Sequence, residues 1–284
     1  MSNKKYTLID SGNGRKLEQV GPHLLNRQAP QAFWTPSLPN SRWQEAVGTH
    51  VRKKSGGGYW DWREGEPHEW TVDHGGQELL ARPTPFGHLG LFAEQASQWE
   101  WIRGTLGANL ERPLNLLNLF AYTGGSTLAA ASAGANVTHV DAAKGVVDWG
   151  RRNQELNGLQ ESPIRWIVDD CQRFLEREVK RGRSYDGVIL DPPTFGRGKK
   201  GEVWKIEAQL VPLLESCNRL VGQSPALILI SAHTPGFGGL SLQRLVDSLM
   251  STKDLECEQG EMAIRETNGT TLPSGAFARW RKPL

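Results

Sequence analysis

A glycine turn, a carboxylate at a strand end and an Asp-Pro-Pro run are the parts of this 284-residue sequence whose types and spacing can do chemistry. Gly124 and Gly125 follow the apolar run Leu114, Leu116, Leu117, Leu119 and Phe120, and lead into Ser126-Thr127-Leu128-Ala129-Ala130-Ala131. That pattern reads as a short strand, a tight turn and a helix. Residues without side chains at the turn let the backbone approach a ligand, and the free N–H groups of the helix can receive a negatively charged group. After Gly134-Ala135, the second short strand Asn136 to Val140 ends on Asp141, which is placed to hold ribose hydroxyls. A nucleoside suits this combination. The turn reads Ala121-Tyr122-Thr123-Gly124-Gly125-Ser126, so G-x-G-x-x-G is absent and no space is marked for the pyrophosphate of a nicotinamide or flavin cofactor. The plain alternative is an ordinary α/β turn with no ligand.

A second motif lies downstream. Tyr185-Asp-Gly-Val-Ile-Leu-Asp-Pro-Pro-Thr-Phe195 is a hydrophobic strand that stops at an acid, two prolines and an aromatic. Asn118-Leu-Phe-Ala-Tyr-Thr-Gly124 followed by Asp191-Pro-Pro-Thr-Phe195 resembles the class I S-adenosylmethionine-dependent methyltransferases. The pairing is most similar to the group of ribosomal RNA methyltransferases that modify large-subunit cytosine C5 or guanine N7. The likeness covers roughly Phe86 to Trp280 and a short N-terminal β module, and it is more specific for the cofactor than for the substrate.

The resemblance implies a set of residues around S-adenosylmethionine. Asn118, Phe120, Tyr122, Thr123 and Gly124 belong to the first loop, Asp141 and Ala142 to the second, Asp170 and Cys171 to the third, and Asp191 to the fourth. Phe92 and Gln95, in the segment before the first strand, would close over the methionine end as an apolar lid and an amide. Plainer readings stand beside these: an amphipathic helix around Phe92, and Asp169 or Asp170 as simple caps of the helix Gln172 to Lys180.

A methyl carbon on a sulfonium is already electrophilic, so the enzyme chiefly holds an acceptor in line and excludes water, without a metal. Asp191 and the carbonyl of Pro192 can accept hydrogen bonds from a planar base, Pro193 stiffens the loop, and Phe195 can stack on the base. Reaching a base in folded RNA requires turning it out of its stack. Cytosine C5 chemistry needs a cysteine thiolate as nucleophile. In the similar C5 enzymes that cysteine follows the fifth strand. Here Ala226-Leu-Ile-Leu-Ile230 leads into Ser231-Ala-His-Thr-Pro-Gly236, with no cysteine. A nitrogen acceptor such as guanine N7 is therefore expected. His233 is a candidate base contact or proton acceptor, and equally a plain loop histidine. Arg197, Lys199 and Lys200, in a glycine-rich loop, are candidate phosphate contacts.

The elements that position these residues follow from the rest of the chain. Ile164 to Val168 reads as a third strand, Val146 to Asn157 as a helix closed by Gly158, Leu240 to Met250 as a helix, and Cys257 to Arg265 with Gly275 to Trp280 as a closing hairpin. The expected fold is a seven-stranded, doubly wound, Rossmann-like α/β sheet over residues 86–284, behind a small β-rich module over residues 1–85. That module carries Trp34, Trp43, Trp60, Trp62 and Trp70 between the turns Ser11-Gly-Asn-Gly14, Ser55-Gly-Gly-Gly58 and His74-Gly-Gly76. Its tryptophans can form either a base-stacking surface or the core of a module short of other large side chains. Arg52-Lys53-Lys54 can touch phosphates or be merely solvated.

Charged residues make up 23% and the net charge is +2, so any contact with nucleic acid must come from a local patch. Cys171, Cys217 and Cys257 are far apart, which argues against a disulfide framework or zinc site and suits a reducing cytosol. No apolar run approaches a membrane span, so a soluble cytoplasmic protein is expected. The function this predicts is methylation of a base nitrogen in RNA, ribosomal by resemblance. A small-molecule or protein-side-chain methyltransferase, or a non-catalytic RNA-binding protein, are the other readings.

Overall fold

The computed structural model describes residues 4–53, 56–107, 112–197 and 203–283, and the chain divides into two compact units. The first comprises Met1–Ala96 with Ala263–Ser274, and the second Ser97–Met262 with Gly275–Leu284. The first division of the chain thus falls after Ala96. Residues 263–274, expected in the closing hairpin of the large domain, cluster with the first unit.

In the first unit, strands β1 (Tyr6–Gly12), β2 (Arg15–Val20), β3 (His23–Gln28), β4 (Gly48–Arg52) and β5 (Gly58–Trp62) form a sheet in that order. Neighbours are antiparallel except β3 and β4, whose parallel crossing carries the short helix α1 (Asn40–Trp43). The β1–β2 turn places Asn13 and Gly14 at φ 52° and 74°, the left-handed pair a two-residue hairpin needs. A second hairpin joins β6 (Trp70–His74) to β7 (Gln77–Ala81). The indole N–H of Trp43 donates to Asp10, that of Trp60 to the Thr84 carbonyl and that of Trp70 to the Val20 carbonyl. Trp60 and Trp62 stack on each other with centroids 5.1 Å apart. These rings are committed to the module's own packing, as expected where few other large side chains are available.

Beside them lies a buried ionic group. Glu18 accepts from Tyr6 and pairs with Arg27 and Lys16. Burial pushes the Glu18 carboxyl up, but Arg27 and Lys16 together outweigh it and hold the pKa at about 2.

The second unit holds a seven-stranded sheet. Helix α2 (Ala96–Leu106) leads to β8 (Asn115–Leu119), α3 (Gly125–Ser132), β9 (Asn136–Asp141), α4 (Lys144–Leu156), β10 (Ile164–Val168), α5 (Cys171–Lys180) and β11 (Gly187–Leu190). A two-stranded ribbon, β12 (Phe195–Arg197) with β13 (Val203–Lys205), precedes α6 (Ile206–Val221), β14 (Leu227–Ala232), α7 (Gly239–Leu249), β15 (Glu256–Arg265) and β16 (Thr271–Arg281). The order is β10-β9-β8-β11-β14-β16-β15, with β10 to β14 parallel and β16 antiparallel to β14. Every residue of β11 and β14 is buried, which explains why these strands read as continuous apolar runs rather than alternations. Successive connections run outward from β8 to β10 on one side and from β11 to β14 on the other. The order therefore reverses between β8 and β11, where ligands of open parallel sheets bind beyond the carboxyl ends of the strands.

Candidate active site

Four loops leave the carboxyl ends of β8, β9, β10 and β11 side by side. The β8 loop is tightly wound: Phe120 and Tyr122 lie at φ 54° and 49°, and Gly124 at φ 92° caps α3. Positive φ at two bulky residues is an uncommon conformation that surrounding structure must enforce. That enforcement is visible. The N–H of Tyr122 donates to Asp141 Oδ2 at 3.0 Å, and the N–H of Ala143 donates to Asp141 Oδ1 at 2.9 Å. Asn153 of α4 donates its side-chain N–H to the Thr123 carbonyl at 3.0 Å. Burial raises the pKa of Asp141 above its usual range, against the pull of the two backbone donors.

The glycines serve the protein as well as a ligand. A Cβ on Gly125 would sit 2.4 Å from the ring of Trp99 in α2, and one on Gly124 3.4 Å from Trp166 of β10, which also presses on Gly150. The indole of Trp166 is thus a wedge between the turn and α4. Nothing in the local pattern around Trp166 announces this role, which depends on two helices meeting over an edge strand.

Asn118, expected beside the cofactor, is 2% exposed and lies inside the sheet. Its amide donates to Thr127 Oγ1 at 2.9 Å, and that oxygen is 2.9 Å from His139 Nδ1. With Thr127 taking the Asn118 proton and giving its own to Nδ1, His139 carries its proton on Nε2, which has no hydrogen-bond partner among the described residues. Burial, with Arg151 adding to it, pulls the His139 pKa down to about 3 and keeps the ring neutral. This chain ties β8, α3 and β9 together behind the turn.

At the β10 end, Asp169 is paired with Arg177, and Asp170 caps α5 by accepting the N–H of Arg173 at 3.0 Å. The capping role therefore exists, and it occupies one oxygen of Asp170. Cys171 is fully buried in the first turn of α5, with its sulfur accepting the N–H of Phe120 at 3.4 Å. Burial pushes its thiol well above the usual range. It braces the first loop from behind.

The β11 end is the Asp-Pro-Pro loop. Ser231 Oγ donates to Asp191 Oδ1 at 2.7 Å, and His233 Nδ1 lies 3.8 Å from the same oxygen. Thr194 and Thr234 share a hydrogen bond of 2.7 Å, and Trp204 Nε1 donates to the Pro193 carbonyl at 2.6 Å. The ring of Phe120 packs on Trp204 with centroids 4.7 Å apart, which links the first loop to the fourth. Phe195, the residue just beyond, is 50% exposed. Of residues 196–205, expected as a glycine-rich loop, 196–197 and 203–205 belong to the β12–β13 ribbon. Lys199 and Lys200 lie outside the described residues, and Arg197 is placed by its backbone on β12. Phe92 and Gln95 belong to the first unit, Phe92 half-buried with its ring 5.4 Å from that of His88 and Gln95 buried in a 3-10 turn.

The donor set suits a nucleoside with a cationic group. Asp141 offers carboxylate acceptors at the end of the second strand, Asp170 an acceptor at the third, and Asp191 a further negative charge at the fourth, with no cation of the described residues paired to Asp141 or Asp170. A wound backbone turn lies between them, and the switch point of the sheet opens there.

Comparison with known proteins agrees with this geometry. Residues 22–221 match the family model of S-adenosylmethionine-dependent methyltransferases. The crystal structure of a SAM-dependent methyltransferase from Agrobacterium tumefaciens superimposes with a TM-score of 0.91 and 38% identity, covering 98% of this chain and 90% of that one. Ribosomal RNA large subunit methyltransferase K/L of Methylococcus capsulatus is 35% identical over 55% of this chain. The corresponding methyltransferase K of Neisseria meningitidis serogroup B is 26% identical over 66% of it. The chain spans 21% and 51% of the lengths of these two relatives. The match over residues 22–221, most of the chain, establishes that it belongs to the S-adenosylmethionine-dependent methyltransferase family.

Proposed function

We propose that this chain transfers the methyl group of S-adenosylmethionine to a ring nitrogen of a base in RNA, with ribosomal RNA as the substrate. What carries the reading is the β11 loop. A half-exposed Phe195 follows an Asp191 whose carboxylate is oriented by Ser231, and the strand end opposite supplies Ser231 and His233 instead of a thiol. The names of the relatives point to ribosomal RNA as the substrate class.

When bound, S-adenosylmethionine supplies an electrophilic methyl carbon. The chain's work is then positional. The Tyr122–Gly124 turn and Asp141 hold the ribose, with hydroxyls donating to the carboxylate, and Asp170 takes the adenine amino group. Asp191 accepts an N–H from the edge of the acceptor base, and the face of Phe195 limits its tilt, so that a ring lone pair meets the methyl in line. A lone-pair nitrogen needs no proton removed and no covalent adduct, which agrees with the state of the cysteines. Cys171 and Cys217 are buried with raised pKa values, and Cys257 lies on β15 with its thiol pushed up to about 11.

Nucleoside mass spectrometry of ribosomal RNA from a deletion strain and its parent tests the reading. Loss of one methylated base, restored by purified protein with labelled donor, is the expected result. Unchanged ribosomal RNA together with labelled protein or metabolites would replace RNA by one of those acceptors. Absence of donor uptake in calorimetry would leave a non-catalytic member of the family.

A further inference from the structure

The first unit contains a pocket of about 280 Å³ that the methyl-transfer chemistry does not use. Asn26 of β3, Thr49 of β4 and Asp61 of β5 line it, and they are register partners across three adjacent strands. Register partners lie on one face of a sheet, so two amide or hydroxyl groups and a carboxylate stand in a row. Arg63, two residues beyond Asp61 on the same face, and Gln44 close the sides, and Trp43 forms an aromatic wall. The volume is at the small end for ligand sites and suits one flat ring system.

The polar groups are set up in advance. Arg15 donates to both the side-chain and backbone oxygens of Asn26, which leaves the Asn26 amide N–H2 as the group lining the pocket. Asp61 is exposed and takes part in no ion pair among the described residues. Tyr59 lies two residues before Asp61, on the same face and about 7 Å away along the strand. It is 51% exposed, and Lys53 Nζ sits 5.9 Å from its ring centroid. A row of donors and acceptors, an exposed aromatic and two cations are the components with which proteins bind unstacked nucleotides.

We infer that this pocket binds a single unpaired RNA nucleotide. Asp61 accepts from the amino or imino N–H of the base, Asn26 donates to its carbonyl or ring nitrogen, the neighbouring base stacks on Tyr59, and Arg63 and Lys53 meet the adjoining phosphates. The indole N–H groups of Trp43, Trp60 and Trp70 are tied within the module, so polar recognition falls to a different residue set from the one the abundance of tryptophan suggests. The inference rests on the RNA reading and supplies a second point of substrate contact.

Fluorescence anisotropy with a labelled twelve-nucleotide single-stranded RNA, at two salt concentrations, compares the full chain with Asp61→Ala, Asn26→Ala and Tyr59→Ala. Each variant should bind about tenfold more weakly, the range for one stacked or edge-read base, while Arg63→Ala mainly reduces the salt dependence. Calorimetric affinity for S-adenosylmethionine and the melting temperature should stay at wild-type values. Variants that are folded, bind cofactor and hold the RNA as tightly as the wild type would overturn the pocket while leaving RNA methylation standing. A wild-type protein that methylates no RNA and binds none would overturn both. A KM for RNA raised in the three variants with kcat unchanged would support the assignment.

Discussion

Tyr122 and Asp141, nineteen residues apart in sequence, are joined by one hydrogen bond: the Tyr122 N–H donates to the Asp141 carboxylate at 3.0 Å. The acid proposed to hold the ribose therefore also holds the strained first loop in shape.

Replacing Asp141 should accordingly affect both. Asp141→Ala removes the acceptor of two backbone N–H groups, which costs about 1–3 kcal/mol of stability where such donors are left without a partner. Cofactor affinity in calorimetry should fall more than tenfold. Because burial raises its pKa, this carboxylate takes up a proton at higher pH than an ordinary aspartate does, and lowering the pH should weaken cofactor binding in the wild type more than in the variant.

Gly125→Ala tests whether the turn is glycine for packing. The new Cβ meets a buried indole at 2.4 Å, and overpacking of this kind costs about 1–3 kcal/mol. Chemical denaturation should show the loss, and Trp99→Leu in the same chain should recover part of it. Additive effects of the two changes would refute the contact.

Phe195→Ala removes a half-exposed ring, so the melting temperature should hold. If the ring faces the acceptor, kcat/KM for RNA falls about 10- to 100-fold, the range for loss of one base stack, with cofactor affinity intact. Phe195→Tyr should restore most of the rate. Equal rates for the Ala variant and wild type would place the acceptor elsewhere.

His139 sets a pH limit. Its folded pKa of about 3 lies below the ordinary 6.5, so the unfolded chain binds the proton first and stability falls as pH drops from 6.5 toward 3. At pH 5 this amounts to about 2 kcal/mol relative to pH 7. Denaturant midpoints at the two pH values should show it, and His139→Gln, which can still accept from Thr127, should flatten the dependence. Glu18 acts in the same direction in a lower window: its depressed pKa confers stability that is lost as pH falls from 4.5 toward 2.

The cysteines offer a direct test of the acceptor chemistry. Only Cys257 is exposed, and its raised pKa makes alkylation slow at neutral pH. Cys217→Ala and Cys257→Ser should retain full methyl transfer. Loss of activity in either, with the fold intact, would reopen covalent catalysis.

Local pattern was enough to locate β8, β9, β10 and β11 and the helices between them, because an apolar run, a glycine turn and a helical period are properties of neighbouring residues. It was also enough to mark Asp141 and Asp191, since strand-end acids stand next to the runs they terminate. Asn118 and Cys171 share those same motifs, yet the structure turns them inward, because which face of a strand or first turn meets solvent depends on what packs across it. The same dependence on distant partners decided that Gly125 accommodates Trp99, that Trp166 supports the turn, and that residues 263–274 join the first unit. Sequence alone determined the order of the elements and the kind of ligand their ends can hold. Only the tertiary structure decided which of these side chains are buried, since burial is settled by contacts between residues far apart in the chain.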